Sequence, residues 1–254
     1  MPRHHLDLPG ANTLPTPTFQ LVDHDVRDIV EHNALAVVHG DAGLGKTFAV
    51  QAALERLRHD LRNTTERLSI VEVALPHTCT PLRVALSLAR RILRTPTPES
   101  RTRYTLHDDI LEHLLSTPHL LVIDEAQKLS VYAMDVIRSL YDDSGTKLAI
   151  LFVGGDGCWQ TIRREPMLRS RVFRSRLFRP LPTAEVPDLM RAYHQLYAHA
   201  DTRLLASIDA RHAHGSWRDW AAFTLTALQH AATAGRDTLD EEITNNTYTT
   251  LGSR

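Results

Sequence analysis

Apolar residues in this chain fall into short continuous runs that are separated by segments with helical spacing. Runs that are apolar at nearly every position are typical of parallel strands buried on both faces of a sheet. Apolar residues that recur every three or four positions are typical of helices covering such a sheet. The predicted strands span residues 35–39, 69–75, 119–124 and 147–153. The predicted helices around them span residues 23–33, 48–58, 81–94, 106–115 and 130–141.

The order of these elements predicts the fold class. Strands alternate with helices over residues 34–181, which favours right-handed βαβ units and an α/β fold with a parallel five-stranded sheet sandwiched by helices. From residue 183 the pattern is helical only, with predicted helices at 183–198, 202–213, 216–234 and 238–249. We therefore expect an α/β core over residues 21–182 and a small all-helical domain over residues 183–254.

The N-terminal segment and the overall composition add three expectations. Residues 1–20 contain four prolines, which predicts a flexible tail. An apolar fraction of 43% with a formal charge of −1 is typical of a folded soluble protein, so any nucleic-acid binding needs a local basic patch. No apolar run approaches the roughly 18 residues that cross a bilayer, and the two cysteines lack metal or redox spacing. We expect a cytoplasmic protein with no membrane segment.

One loop carries a specific chemical signature. Residues 40–47 read G-x-x-x-x-G-K-T between a predicted strand and a predicted helix, which is the context that a phosphate-binding loop requires. Glycines with positive φ let successive N–H groups face an anion, and the helix N-terminus adds its dipole. Lys46 is expected to bind the β- and γ-phosphates of ATP, and Thr47 to bind Mg²⁺. The expected nucleotide-binding residues of the loop are Gly40, Asp41, Ala42, Gly43, Leu44, Gly45, Lys46 and Thr47.

Two acids end the apolar run at residues 119–124. Ligands of open α/β sheets bind at the carboxyl ends of the strands, where Asp124 and Glu125 are expected to lie. Asp124 is expected to hold Mg²⁺, and Glu125 to orient and polarise the attacking water as a catalytic residue. A strand that ends in two solvated acids is the alternative. Together with the phosphate-binding loop, the pair predicts Mg²⁺-dependent hydrolysis of ATP to ADP and phosphate.

These motifs resemble those of the AAA+ ATPases over about residues 23–250. Residues 40–47 are similar to the Walker A motif, and residues 120–127 to the IDEAQ form of Walker B. The segment Met167-Leu168-Arg169-Ser170-Arg171-Val172 resembles the box that carries an arginine finger. The resemblance implies that Arg171 is a catalytic residue acting on a neighbouring subunit's γ-phosphate. Gly215-Ser216-Trp217-Arg218 is similar to the sensor 2 motif, which implies that Arg218 contacts the nucleotide.

Two features of this resemblance leave alternatives open. Seven arginines crowd residues 163–179, so a solvated basic face is the alternative to a finger at Arg171, and Arg169 or Arg174 could take that role instead. The family usually has a polar sensor 1 after the fourth strand, where this chain reads Val153-Gly154-Gly155-Asp156. Either Asp156 substitutes for the sensor or the sensor is missing, which leaves the rate of hydrolysis open.

Within the AAA+ proteins, the segment from the IDEAQ motif to residue 185 is similar to the branch of the TniB, TnsC and Mu B transposition ATPases and the ExeA secretion ATPase. The transposition members imply a homo-oligomer, either a ring or a helical filament, that assembles with ATP on double-stranded DNA. They also imply a transposase as the partner that is recruited or activated, with or without a target-selection adaptor protein. An ExeA-like envelope-assembly ATPase and an ATP-binding switch with weak hydrolysis are the alternatives.

A stripe of arginines offers a DNA contact. Arg83, Arg90 and Arg94 share roughly one side of the predicted helix 81–94, and Arg103 follows soon after. Such a stripe can bind phosphates without regard to base sequence and in a salt-dependent manner. A solvated helix face explains the same spacing equally well.

Overall fold

A computed structural model of the chain describes residues 4–65, 67–94 and 100–252. The chain forms two compact units. The sheet unit consists of Gln20–Asp41 and Ala49–Leu177, and the helical unit consists of Met1–Phe19, Ala42–Phe48 and Phe178–Arg254. The domain boundaries at residues 20 and 182 stay predictions. The helical unit differs from the predicted C-terminal domain because it also contains the N-terminal segment and most of the phosphate-binding loop.

The sheet has five parallel strands in the order β2-β3-β4-β1-β5. The α/β fold class and the parallel five-stranded sheet are thus confirmed, as is the helical region that follows it. Because all strands run in one direction, the carboxyl ends of β1, β3 and β4 lie at the same edge of the sheet. The strands are β1 (Leu35–His39), β2 (Ser69–Ala74), β3 (His119–Asp124), β4 (Leu148–Val153) and β5 (Val172–Leu177).

Each predicted helical segment contains a helix, and the differences there lie mainly at the helix ends. Two short helices, Cys158–Arg163 and Pro166–Arg169, were not predicted. The first helix begins at Pro17 rather than at residue 23, since proline fits the first turn of a helix. None of the helices in the described ranges is both long enough and apolar enough to cross a bilayer. The helices are α1 (Pro17–His32), α2 (Lys46–Leu61), α3 (Pro81–Ile92), α4 (Arg103–Ser116), α5 (Val131–Tyr141), α6 (Cys158–Arg163), α7 (Pro166–Arg169), α8 (Val186–Tyr193), α9 (Thr202–Ile208), α10 (Trp217–Thr233) and α11 (Glu241–Leu251).

One face of the sheet packs against α3, α4 and α5 in a continuous apolar core. Side chains of β3 and β4 such as Ile123 and Phe152 are fully buried there, as is Leu88 of α3. Burying a side chain of this size contributes roughly 1.5–3 kcal/mol each. The core therefore fixes the strands whose carboxyl ends carry the candidate site.

The fifth strand was not located by the apolar pattern, because its sequence Val-Phe-Arg-Ser-Arg-Leu has three polar residues in its middle. Arg176 of β5 donates from Nε and Nη2 to the two carboxylate oxygens of Asp25 in α1, at 2.7 and 2.8 Å. The side chain of Asp25 is 2% exposed, and Arg174 donates to Asp28 in the next turn of α1 at 2.9 Å. Bidentate pairs of this kind are strong and directional. Arg174 therefore ties β5 to α1, which argues against Arg174 as the finger.

The described part of the N-terminal segment packs within the helical unit, whereas the sequence predicts a flexible tail there. Leu8 is buried in the apolar core of that unit. The backbone N–H of Asn12 donates to Tyr193 O at 2.8 Å, and the Asn12 side chain donates to Ala192 O at 2.9 Å. These bonds anchor the segment to α8 through one backbone and one side-chain donor of Asn12.

Candidate functional site

The phosphate-binding loop follows β1 directly in the chain. Its three glycines have φ angles of 135° at Gly40, 83° at Gly43 and 89° at Gly45. Side chains strain this region of backbone space, so the loop requires glycine, and the conformation can turn N–H groups toward an anion. Lys46 is the first residue of α2 and is 9% exposed, and Thr47 beside it is exposed. The loop thus leads directly into a helix N-terminus, which attracts phosphate.

Within the helical unit, the start of α10 packs on this loop. Arg218 N donates to Gly43 O at 3.1 Å. A Cβ at Gly43 would lie 2.6 Å from Ser216 Oγ, and a Cβ at Gly45 would lie 3.2 Å from Trp217 Cδ1. The contact therefore demands glycine at residue 43 for a second reason besides its φ angle. Arg218 lies in the first turn of α10 with its side chain exposed, next to the loop. Its role as sensor 2 stays a prediction.

A buried acid, which the sequence pattern did not reveal, holds the start of α10. Asp209 is 3% exposed, and its Oδ1 accepts from Gly215 N at 2.8 Å and from Trp220 Nε1 at 3.0 Å. Gly215 has a φ of 73°, and a Cβ there would lie 2.6 Å from Leu181 N. The glycine of the G-x-x-R motif is thus required by close backbone packing, and Asp209 fixes the turn that presents Arg218.

Aromatic side chains form a wall beside the loop, again within the helical unit. Phe48 of α2 lies 4.9 Å from the His4 ring and 6.2 Å from the Phe19 ring, measured between centroids. Tyr193 lies 5.4 Å from Trp217, which contacts Gly45. Burial lowers the pKa of His4 and raises the pKa of Tyr193 to about 12, so both rings are uncharged near neutral pH. This packing of aromatic rings beside the loop was not predicted from the sequence.

The acidic pair lies at the end of β3 in the sheet unit. Asp124 is the last residue of β3 and is half-buried, and Glu125 is exposed with a left-handed φ of 60°. The Glu125 N–H donates to Asp124 Oδ1 at 2.8 Å. Gly154 N, just past β4, donates to Val38 O near the end of β1 at 3.0 Å. The ends of β1, β3 and β4 therefore meet at one edge, as the sequence predicts for a nucleotide site.

The Glu125 carboxylate is held by two neighbours in the turn that follows it. Gln127 Nε2 donates to Glu125 Oε2 at 3.0 Å, and Lys128 Nζ lies 3.1 Å from the same oxygen. Gln127 Oε1 accepts in turn from Gly155 N at 2.9 Å. Asp156, one of the two alternatives given for sensor 1, accepts from Gly157 N at 2.9 Å and so caps the turn after β4.

The residues predicted as the arginine finger and as the DNA contact belong to the sheet unit. Arg171 Nε lies 2.8 Å from Asp142 Oδ1, and its Nη1 donates to Met167 O at 2.6 Å. A finger role would require Arg171 to exchange Asp142 for a phosphate. The predicted DNA stripe of Arg83, Arg90, Arg94 and Arg103 is exposed on α3, just after it, and at the start of α4. Both roles stay predictions.

Comparison with known proteins agrees with this geometry. A family model described as an AAA domain matches residues 27–162, which is more than half of the chain. Among curated proteins, none matches this sequence.

Solved structures similar to this chain share its fold at low sequence identity. Aeropyrum pernix ORC2 in ADPNP and ADP complexes has a TM-score of 0.70 and 14% identity over 94% of this chain and 69% of that one. Aeropyrum pernix ORC1 in complex with DNA has a TM-score of 0.68 and 17% identity over 96% and 67%. The Thermotoga maritima RuvB Holliday junction branch migration motor has a TM-score of 0.56 and 13% identity over 98% and 72%.

Proposed function

The chain belongs to the AAA domain family, and on this premise we propose that it is a Mg²⁺-dependent ATPase that assembles on double-stranded DNA and regulates transposition. The observation that carries the ATPase part is the loop at residues 40–47. Its glycines have positive φ, and Lys46 begins the helix that follows. The reaction is hydrolysis of ATP to ADP and phosphate.

Each part of the site has a proposed role. The loop N–H groups and Lys46 bind the phosphates, and the aromatic wall around Phe48 and Trp217 holds the base. Thr47 and Asp124 would hold Mg²⁺, since hydroxyl and carboxylate oxygens are the ligands this ion prefers. When bound, the ion neutralises charge on the phosphates. Glu125 orients the attacking water and accepts its proton.

The DNA part of the proposal has support of its own, and the oligomer part comes from the resemblance to the transposition ATPases. The Aeropyrum pernix ORC1 structure that shares this fold is a complex with DNA. Arg83 and Arg90 are exposed on α3, opposite its buried residues, and so can contact a phosphate backbone. The transposase, and any target-selection adaptor, come from the resemblance to TniB, TnsC and Mu B.

A second candidate is an ATP-binding switch that hydrolyses slowly. Gly154 and Gly155 favour it, because they leave the end of β4 without the polar side chain that the family usually has there. The exposed carboxylate of Glu125 favours hydrolysis instead. A measured turnover number separates the two candidates.

Assembly on DNA is tested by negative-stain imaging and phosphate release, with and without duplex DNA. We expect rings or helical filaments only when both duplex DNA and a non-hydrolysable ATP analogue are present, and faster phosphate release with DNA. Replacing both Arg83 and Arg90 with glutamine should lower the salt dependence of DNA binding by roughly one logarithmic slope unit per lost phosphate contact. Arg203→Gln, an exposed change on α9, is the matched control. Hydrolysis without any response to DNA would reject the DNA part of the proposal.

Arg171→Ala is expected to stop hydrolysis, because an arginine finger accelerates phosphoryl transfer by about 10³–10⁵-fold. Since the finger acts on a neighbour, mixing this variant with a Lys46→Ala variant should restore part of the activity. Asp142→Ala, which removes the partner of Arg171 within the chain, should leave turnover nearly unchanged. Normal hydrolysis by Arg171→Ala would mean that the finger lies elsewhere, and Arg169 is the next residue to test.

A further inference from the structure

We propose that Gln127 is a positioning residue for Glu125, and that it does the work of the polar side chain missing from the end of β4. The inference rests on the proposed function, because it concerns Glu125 as the group that activates water. It assigns a role to the last residue of the IDEAQ motif, to which the sequence analysis gave none.

The first support is a continuous chain of hydrogen bonds. Gly155 N donates to Gln127 Oε1 at 2.9 Å, and Gln127 Nε2 donates to Glu125 Oε2 at 3.0 Å. A backbone N–H can only donate, so the amide oxygen must face Gly155 and the amide nitrogen must face the carboxylate. The Gln127 side chain therefore links a backbone donor at the end of β4 to the Glu125 carboxylate.

The second support is that Gly154 leaves room for Gln127. A Cβ at residue 154 would collide with Gln127 Oε1 and with the Cys158 side chain. A larger residue at 154 and the present position of Gln127 are thus mutually exclusive. Gln127 can therefore take this position only because residue 154 has no side chain.

The third support is the way in which the Glu125 carboxylate is held. Both of its side-chain partners, Gln127 and Lys128, lie against Oε2. Within the described ranges, Oε1 of Glu125 has no hydrogen-bond or ion-pair partner. The backbone of Glu125 is fixed as well, since its left-handed φ of 60° is restrained by the bond from its N–H to Asp124. Gln127 therefore sets the orientation of the carboxylate and leaves Oε1 available to accept a proton from water.

The turn that carries Gln127 is itself rigid. Residues Ala126–Lys128 form a single 3₁₀ turn. Ala126 is fully buried, and its carbonyl accepts from Leu129 N at 3.1 Å. Because the backbone under Gln127 is anchored in the core, its side chain can transmit the position of β4 to Glu125.

The test compares Gln127→Ala with Gln160→Ala, a matched removal of an exposed glutamine on α6. Misplacing a catalytic group by about 1 Å costs up to about 10²-fold in rate, so we expect kcat of Gln127→Ala to fall roughly 10- to 100-fold. The dissociation constant for ATP, measured by calorimetry, should change less than about twofold. Gln160→Ala should match the wild type in both. An unchanged kcat, or a loss of ATP affinity as large as the loss of kcat, would overturn the inference.

Gln127→Glu tests the inference through the pH dependence of turnover, which would not change if Gln127 had a purely structural role. In this variant the introduced carboxyl group, when protonated, can donate to Glu125 as the amide does, whereas the ionised carboxylate repels Glu125. The turnover of this variant relative to wild type should therefore rise as the pH falls. A ratio independent of pH would overturn the inference, and this variant keeps the side-chain length if the alanine variant folds poorly.

A double variant separates this inference from the proposed function. If Gln127 acts only through Glu125, adding Gln127→Ala to Glu125→Gln should lower the residual kcat by less than about twofold. A further drop of tenfold or more would show that Gln127 acts by another route. Full turnover by Glu125→Gln alone would instead reject the catalytic role of Glu125, and the role of Gln127 with it. An inactive Glu125→Gln beside a fully active Gln127→Ala would reject the role of Gln127 alone.

Discussion

Lys46→Ala is expected to weaken ATP binding by roughly 10- to 150-fold, because a hydrogen bond to a charged group is worth about 1.5–3 kcal/mol. Lys46 begins α2 directly after the positive-φ glycines, and its proposed role is to bind the phosphates with its ammonium group. The loop N–H groups and the helix dipole remain in the variant, so binding should weaken rather than vanish. Isothermal titration calorimetry with ATP and Mg²⁺ measures the change.

The controls for this variant use the few lysines of the chain. Lys147→Ala removes an exposed ammonium group just before β4 and should leave ATP affinity unchanged. Lys46→Arg keeps the charge but replaces a compact ammonium with a wide planar group, so it should still bind more weakly than the wild type. Unchanged ATP affinity in Lys46→Ala, with a normal thermal unfolding profile, would remove the nucleotide-binding assignment from the loop.

The central strands were predictable because strands buried on both faces are composed mostly of apolar residues. Residues 119–124 are apolar at nearly every position, and β3 has the same bounds in the structure. Strand β4 was predicted one residue too long at its start, since Lys147 is an exposed polar residue at the end of a loop. Strands covered on both faces carry this signal whatever their neighbours are.

The edge strand β5 could not be located from its own residues. Its central residues are Arg174, Ser175 and Arg176, and in isolation these arginines resemble a solvated face. Their partners, Asp25 and Asp28, lie about 150 residues earlier in the chain, in α1. Only the folded chain shows that these charges are paired, because no spacing rule connects residues so far apart.

The candidate site also has a part that the sequence predicts and a part that it does not. The loop at residues 40–47 and the acids Asp124 and Glu125 are local motifs: the loop has glycines with positive φ after β1, and Asp124 ends β3. The aromatic wall and the buried Asp209 depend on contacts between distant segments, so sequence patterns could not reveal them. The donor at Gly155 is a backbone N–H, and its partner cannot be predicted from the residue type.

In the proposed reaction the chemical step depends most directly on one carboxylate, that of Glu125. Glu125 follows Asp124, the residue proposed to hold Mg²⁺, and is oriented by Gln127 and Lys128 through a single oxygen. Glutamine at residue 125 keeps the size of the side chain and can still accept a hydrogen bond from Gln127. It cannot take a proton from water.

Glu125→Gln is therefore expected to bind ATP with nearly wild-type affinity and to lose about 10²–10⁴-fold in kcat, the range that a general base contributes. Because ATP is bound but not consumed, any assembly that requires ATP should persist for longer than the wild-type assembly. Phosphate release under single-turnover conditions measures the first effect, and imaging over time on duplex DNA measures the second. Glu112→Gln, an exposed change on α4, should alter neither. Wild-type phosphate release by Glu125→Gln would exclude Glu125 as the base, and Asp156, the exposed acid after β4, would then be tested.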